Sequence, residues 1–380
     1  MVKVLHIANV YAGSTVYMNL VRELDNLAVE QIVYTPIRGT NNVGKNAIEF
    51  ASDKSEVIYS SILNWHIDRV FYPYKIFKIL KDIQRKVDFS QINFIHAHTW
   101  YSDGGVAYFL SKKYNIPFIV TVRNTDLNVF QKKLAYLRPF GRKVLERAKN
   151  IFLISASYLP RVLSQHSLQT SLGSIQEKIK VLPNGVDPYW LNNAVGQKEQ
   201  KKLNDTVQLI YVGRLTAGKN VHFVQQAVVW LNKNTRHNVH FHIVGGGGTS
   251  EAEVIELANQ QPSYFTYHGK VYNKDELANL YRTADIFVMP SSHETFGLVY
   301  VEAMLQGLPI LYTANEGIDG FYPESIGEKV QTPTVQEIGE KLSVMIENLN
   351  GYSIPAEALK QNHDWAHIAK QYLLIYKENI

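Results

Sequence analysis

The chain reads as an α/β protein built from two doubly wound parallel-sheet domains. Three observations carry that reading. Short continuous apolar runs alternate with segments of helical period, the alternation stops at a polar run from Asn192 to Asp205 and restarts beyond it, and 380 residues fit two or three domains of ~100 to 200 residues each. Strands covered by helices on both faces lose the in–out polar alternation, so runs such as FIVTV mark a parallel sheet.

The elements follow in order. Val2 to Asn9 forms a strand, a loop holding Gly13 comes next, and Val16, Leu20, Leu24 and Leu27 recur at helical spacing. Strand patterns return in QINFIHAH, PFIVTV and IFLIS, and IKVLPNGV closes the series. Turn chemistry at Pro183-Asn184-Gly185, followed by the polar run, places the boundary between Gly185 and Asp205. Residues 1–188 are therefore expected to form the first domain and 189–363 the second. In the second, VQLIYVG, a helix from Val221 to about Lys233, VHFHIVG, a helix from Glu251 to Asn259, YFTYHG, DELANLYRTA, DIFVMP, FGLVYVEAMLQ and LPILYT repeat the alternation. Two such domains facing each other create a cleft at the carboxyl ends of their strands, where open α/β sheets bind ligands.

Composition narrows the function classes. The absence of cysteine removes disulfides, thiolate metal sites and cysteine nucleophiles, and fits a cytoplasmic protein. MVKVLHIANV has a strand pattern in place of a secretory signal, and no run approaches the ~18 apolar residues of a spanning helix. Net charge is +5, yet residues 1–190 hold 24 Lys+Arg against 14 Asp+Glu while residues 191–380 hold 15 against 20. The densest stretch sets Lys132, Lys133, Arg138, Arg142, Lys143, Arg147 and Lys149 against Glu146 alone. Each such cation is worth about 1 kcal/mol beside an anionic leaflet, so the stretch is either a peripheral contact on the inner membrane face or a solvated helix face. No RNA or DNA recognition motif accompanies it, which argues against a nucleic-acid partner.

The chemistry concentrates in SSHETFGLVYVEAMLQGLP, Ser291 to Pro309. Unpaired amides at Thr295, Phe296, Gly297 and Leu298, where the helix begins, form an anion site, and Gly297 allows close approach. Glu294 precedes this helix and Glu302 sits eight residues on, about 12 Å along the axis, too far for the ~5 to 9.5 Å of a glycosidase pair. The two either grip different parts of one long ligand or serve as a dipole partner and a solvated helix residue. Arg214 and Lys219 flank a strand-to-helix loop. A cation opposes the dipole there, so Lys219 either faces an anion such as a diphosphate or snorkels into water. Gly245 and Gly246 end a strand where a ligand can come close to the backbone. Strand alternation sets His96 and His98 on one face. They could hold a metal, but neither an Asp-x-Asp nor a third ligand stands nearby in the sequence, which favours structural histidines and no metal site. Arg123 either meets a carboxylate or phosphate of a ligand or pairs, buried, with Asp126.

Four segments in order, VLPNGVDP (181–188), VGRLTAGKN (212–220), IVGGGG (243–248) and Glu294-x7-Glu302, resemble the retaining family 4 glycosyltransferases of the GT-B fold, of the bacterial surface-polysaccharide type. IHAH (95–98) is also similar. The resemblance implies that Arg214 and Lys219 bind the donor diphosphate, Glu294 the transferred sugar and Glu302 the ribose. It sets Gly245 and Gly246 beside the nucleotide, Val271 at the nucleobase, and His98 against sugar or acceptor. It further implies a UDP-sugar donor, with GDP left open, a saccharide or lipid-linked saccharide acceptor, and retaining transfer without metal or other cofactor. Arg123 stands where the family often has a histidine, and Gly13 lacks the frequent glycine pair. HDWAHIAKQYLLIYKENI resembles the family's last helix, which crosses back onto the first domain, so residues 364–380 are expected there. The alternative function is a non-catalytic nucleotide-sugar-binding partner or sensor with the same fold. A dinucleotide-dependent dehydrogenase is disfavoured because Gly13 has no G-x-G-x-x-G around it.

Overall fold

The computed structural model describes residues 2–64, 68, 71–196 and 206–380, so positions 197–205 of the polar run lie outside the described residues. The chain divides into two compact units, one of Met1–Ile154, Leu159–Gly185 and Trp365–Ile380, the other of Ser155–Tyr158 and Val186–Asp364.

In the first unit, β1 (Lys3–Ile7), β2 (Glu30–Arg38), β3 (Glu56–Leu63), β4 (Phe94–Ala97), β5 (Phe118–Val122), β6 (Ile151–Leu153) and β7 (Ile179–Val181) form one parallel sheet. Their order is β3-β2-β1-β4-β5-β6-β7. Every residue of β1, β4, β5 and β6 is buried, as helices on both faces require. The last helix, Trp365–Glu378, buries Trp365, Ile368, Tyr372 and Ile375 against Leu20, Leu24, Phe94, Ile119 and Phe152. Each such side chain contributes about 1.5 to 3 kcal/mol, so this helix is a structural part of the unit.

The second unit holds β8 (Val207–Gly213), β9 (Val239–Gly245), β10 (Phe265–Gly269), β11 (Ile286–Val288), β12 (Ile310–Thr313) and β13 (Gly327–Val330), again parallel, in the order β10-β9-β8-β11-β12-β13. In each sheet the order reverses beside the first strand, between β1 and β4 and between β8 and β11. Crevices at such reversals are where open sheets hold ligands.

The structure departs from the sequence reading in three places. Strands β2, β3 and β13 are absent from the apolar runs picked out by periodicity. β2 carries Pro36 near its end, β3 and β13 are edge strands, and GEKV is too short and polar to read as a strand. The basic stretch is not one helix, because a π-helical turn at Asp126–Gln131 and a 3-10 turn at Ala135–Leu137 precede a helix of Arg138–Arg147. Pro139 explains that restart, since proline is accommodated in a helix's first turn and not in its interior. Finally, the helix expected from Phe296 begins at Leu298.

Candidate active site

Two loops leave the carboxyl ends of neighbouring strands β8 and β11 and are stitched together. The Asn220 side chain, on a left-handed residue with φ of 56°, donates to Pro290 O at 2.7 Å and Ser292 Oγ at 2.8 Å. In return, Ser292 N donates to Gly218 O at 2.8 Å. This apposition carries Lys219 to Glu294: Lys219 Nζ forms an ion pair with Glu294 Oε2 and lies 3.7 Å from Met289 Sδ. The anion that Lys219 faces in the free protein is thus the chain's own carboxylate. Glu294 is positioned in turn, since its backbone N–H donates to Glu316 Oε2 at 3.1 Å and its Oε1 accepts from Thr295 N at 2.9 Å.

Gly297 turns the chain into the helix Leu298–Leu305 with φ of 81°. A Cβ there would lie 2.6 Å from the Tyr300 ring and 3.1 Å from Glu294 Cγ, so glycine is required both by conformation and by space. The Phe296 ring is buried against Phe321 and His363 at centroid distances of 5.4 and 5.1 Å, which anchors the loop. What the turn offers a ligand is backbone: the first amides of the helix, including that of Leu298, have no partner within it and carry the positive end of its dipole.

At the carboxyl ends of β8, β9 and β10 lies a cavity of about 430 Å³ lined by Arg214, Gly245 to Gly247, Lys270, Val271 and Tyr272. Arg214 is exposed, with Nε 3.4 Å from Gly247 O, and is free to turn toward an anion. Glu251 fixes the glycine loop by accepting from Gly247 N at 2.9 Å and from the Tyr267 hydroxyl at 3.2 Å. Gly245 is glycine for a reason the sequence hides: with φ of 132°, its Cβ would fall 1.8 Å from Gly213 O on the paired strand.

Glu302 stands inside the helix Leu298–Leu305, eight residues beyond Glu294. Burial pushes its carboxyl up to about 7, nearby Asp187 adds to this, and the Tyr281 hydroxyl and Lys274 oppose it. It is half-buried, not the solvated helix residue of the blander reading.

In the first unit, Gly13 ends a 3-10 turn with nothing within 4 Å of a would-be Cβ, so packing does not demand glycine there. His98 follows β4 and is buried. Its Nε2 shares a proton with His6 Nδ1 at 3.0 Å, and its ring stacks on His96 at 4.0 Å. His6 is the third histidine that the sequence reading did not find: β1 and β4 pair in register at His6 and His96, and ligand atoms of the three lie within 4.8 Å of one another. Parallel pairing of the first strand with IHAH was the signal that could have found it. Burial lowers all three, His6 to about 3, so they are neutral at pH 7. Arg123 donates from Nε to His98 O at 3.3 Å and lays its guanidinium over the Tyr17 ring at 4.8 Å. Asp126 accepts from the backbone N–H groups of Trp100, Tyr101 and Arg123 at 2.9 to 3.0 Å, which clamps three amides from the two segments after β4 and β5 and occupies both oxygens. Its contact with Arg123 therefore runs through the backbone.

Two doubly wound parallel-sheet units, one gathering cations, helix amides and a glycine-lined cavity at the carboxyl ends of its strands, define the chain as a GT-B protein, and solved structures share the fold over its whole length. Sucrose-phosphate synthase from Thermosynechococcus elongatus matches 100% of this chain and 99% of its own with a TM-score of 0.72 at 19% identity. Anabaena HepE in complex with UDP and glucose matches 100% of both chains with a TM-score of 0.66 at 16% identity. The family follows from two models, Glycosyltransferase Family 4 over residues 13–190 and Glycosyl transferases group 1 over residues 195–365. Together they span most of the chain, which belongs to the family 4 glycosyltransferases. Alpha-monoglucosyldiacylglycerol synthase of Acholeplasma laidlawii is 25% identical, over 81% of this chain and 78% of its own length. Of several other curated relatives the chain spans only 51% to 58%.

Proposed function

We propose that the protein is a metal-independent retaining glycosyltransferase that moves a sugar from a UDP-sugar to a hydroxyl of a saccharide or lipid-linked saccharide at the inner membrane face, in surface polysaccharide assembly. The observation that carries this reading is the Lys219–Glu294 pair before a glycine-started helix, with Lys219 on the loop after β8, the strand whose end also brings Arg214 to the glycine-lined cavity. Residues 189–363 act as the donor domain, and residues 1–188 with 364–380 as the acceptor side.

In this reading the diphosphate displaces Glu294 from Lys219. Arg214, Lys219 and the amides at Phe296 to Leu298 then meet the charge that grows on the leaving group. Donors fixed before reaction are often the largest catalytic contribution, with one commonly worth roughly 3 to 4 kcal/mol. Glu294, released from its ion pair, accepts from hydroxyls of the transferred sugar, and Glu302 from those of the ribose. Val271 and Gly245 to Gly247 border the nucleobase. The acceptor hydroxyl attacks from the leaving-group side and gives its proton to a phosphate oxygen. His98, held in place by its hydrogen bond with His6, and Arg123 stand on the acceptor side. Two relatives support the substrate classes: HepE binds UDP and glucose, and the Acholeplasma enzyme by its name builds a glucosyl lipid.

Incubating the protein with a panel of UDP- and GDP-sugars tests the proposal. Slow hydrolysis of one UDP-sugar, reduced about 100-fold or more in Lys219→Ala, supports it. Tight binding with neither hydrolysis nor transfer to any acceptor would assign the chain to a sensor.

A further inference from the structure

We infer that the outward face of the helix Tyr72–Lys86, together with Phe71 before it and Phe109 beside it, is a docking surface for an anionic lipid bilayer. The helix is divided by chemistry. Tyr72, Ile76, Ile79 and Ile83 are buried, whereas Tyr74, Phe77, Lys78, Lys81 and Arg85 fall within an arc of about 100° on the opposite side. Phe71 and Phe77 are 61% and 62% exposed and Tyr74 is 49% exposed. One exposed aromatic is ordinary on a protein surface, but three within seven residues of one edge form a patch whose rings cost free energy in water.

The patch continues onto neighbouring elements. Phe109, 42% exposed on the helix Ser102–Tyr114, stacks on Phe140 at 5.7 Å, and Phe140 meets Tyr72 at 6.1 Å. Tyr136, 61% exposed, stands close enough to Tyr72 to raise that phenol's pKa further. Phe140 opens the first turns of Arg138–Arg147, so the basic stretch found in the sequence borders the same aromatic layer.

Charge decides between occupants. The one acid of the helix, Asp82, is taken up by the Tyr34 hydroxyl at 2.7 Å and by Lys86 at 3.1 Å. Lys78 reaches Asp68 at 3.8 Å. Among the described residues Lys81 and Arg85 have no acidic partner, and neither do Lys132, Lys133 and Lys143. A second copy of the chain would bring the same positive face against this one and be repelled. A bilayer of anionic lipid supplies the complement: aromatic rings settle at headgroup depth while lysine and arginine stems run along apolar surface to the phosphates. Neither charge nor rings alone would hold the protein, and here both occupy one face. The inference deepens the lipid-linked acceptor of the proposed function, but it is tested without donor or acceptor.

The test is co-sedimentation with vesicles of phosphatidylglycerol and phosphatidylethanolamine, against vesicles of phosphatidylcholine alone. The wild type is expected to bind the anionic vesicles preferentially and less tightly as salt rises. Lys81→Ala with Arg85→Ala should weaken partitioning roughly 30-fold. Phe71→Ser with Phe77→Ser should weaken it about tenfold or more at every salt concentration. All four positions face outward, and unchanged thermal melting of the variants confirms that the fold survives. Equal binding to both vesicle types, or aromatic variants that bind as the wild type does, overturns the inference. So does concentration-dependent dimerisation by sedimentation that the aromatic variants abolish, because it would assign the face to self-association. Vesicle binding with neither hydrolysis nor transfer of any nucleotide sugar would leave this surface standing and remove the transferase reading, and the reverse result would do the opposite.

Discussion

Glu302→Gln separates the demands of stability from those of ligand binding. Burial, with Asp187 nearby, moves this carboxyl from 4.5 to about 7. Below pH 4.5 both folded and unfolded chains hold the proton, so the group has no effect on stability. Between 4.5 and about 7 the unfolded chain releases it and the folded chain keeps it, so stability falls as pH rises, and above that window the loss is constant. At about 1.36 kcal/mol per tenfold change in proton affinity the full displacement is roughly 3 kcal/mol, and about 2 kcal/mol remains after allowing for the part of the side chain that reaches water. Glutamine keeps an oxygen for the Tyr281 hydroxyl and carries no charge. Urea unfolding should therefore show the variant about 2 kcal/mol more stable than the wild type at pH 8 and equal to it near pH 4. Calorimetry at pH 8 should show UDP-sugar affinity reduced about tenfold, because a carboxylate accepts from ribose hydroxyls more strongly than an amide does. A stability difference that does not change with pH would refute the burial argument. Unchanged affinity would refute the ribose assignment.

Further outcomes follow from contacts described above. Gly245→Ala should cost about 3 kcal/mol or more, because its new methyl meets Gly213 O at 1.8 Å, whereas Gly13→Ala should change stability by less than about 1 kcal/mol; thermal unfolding of the two variants compares them directly. Asp126→Ala orphans three amides that are held at 2.9 to 3.0 Å and should destabilise the first unit by about 3 to 5 kcal/mol, while Asp126→Asn, which keeps one oxygen, should cost less in the same urea titration.

How much was legible depended on where each partner stood in the chain. The central strands announced themselves because burial on both faces forces continuous apolar runs, as in VKVLHIAN and FIVTV. The edge strands β3 and β13 face fewer neighbours, carry Glu56 or Glu328 and Lys329, and left no such trace. Glu294, Thr295, Phe296, Gly297 and Leu298 were readable as a unit because a strand-loop-helix turn is contiguous, and the physics of a helix start needs no distant residue. His6 became a partner of His98 only when β1 and β4 lay side by side, and Glu316 reached the Glu294 amide only from the loop after β12. The same holds for the exposed aromatic face: period alone shows that the helix has two sides, but not that Asp82 is drawn inward and the rings are left outside.

The sequence by itself determined the fold class, the central parallel strands and the placing of Arg214, Lys219 and Gly297 at strand-to-helix turns, since each of these follows from interactions between residues a few positions apart. Tertiary structure decided which charges neutralise one another, which glycines are demanded by a neighbouring backbone, and which carboxyls are pushed out of their usual range. Those outcomes depend on Coulombic, steric and desolvation forces acting over a few ångströms, and only the folded chain brings residues 75 or 92 positions apart within that reach.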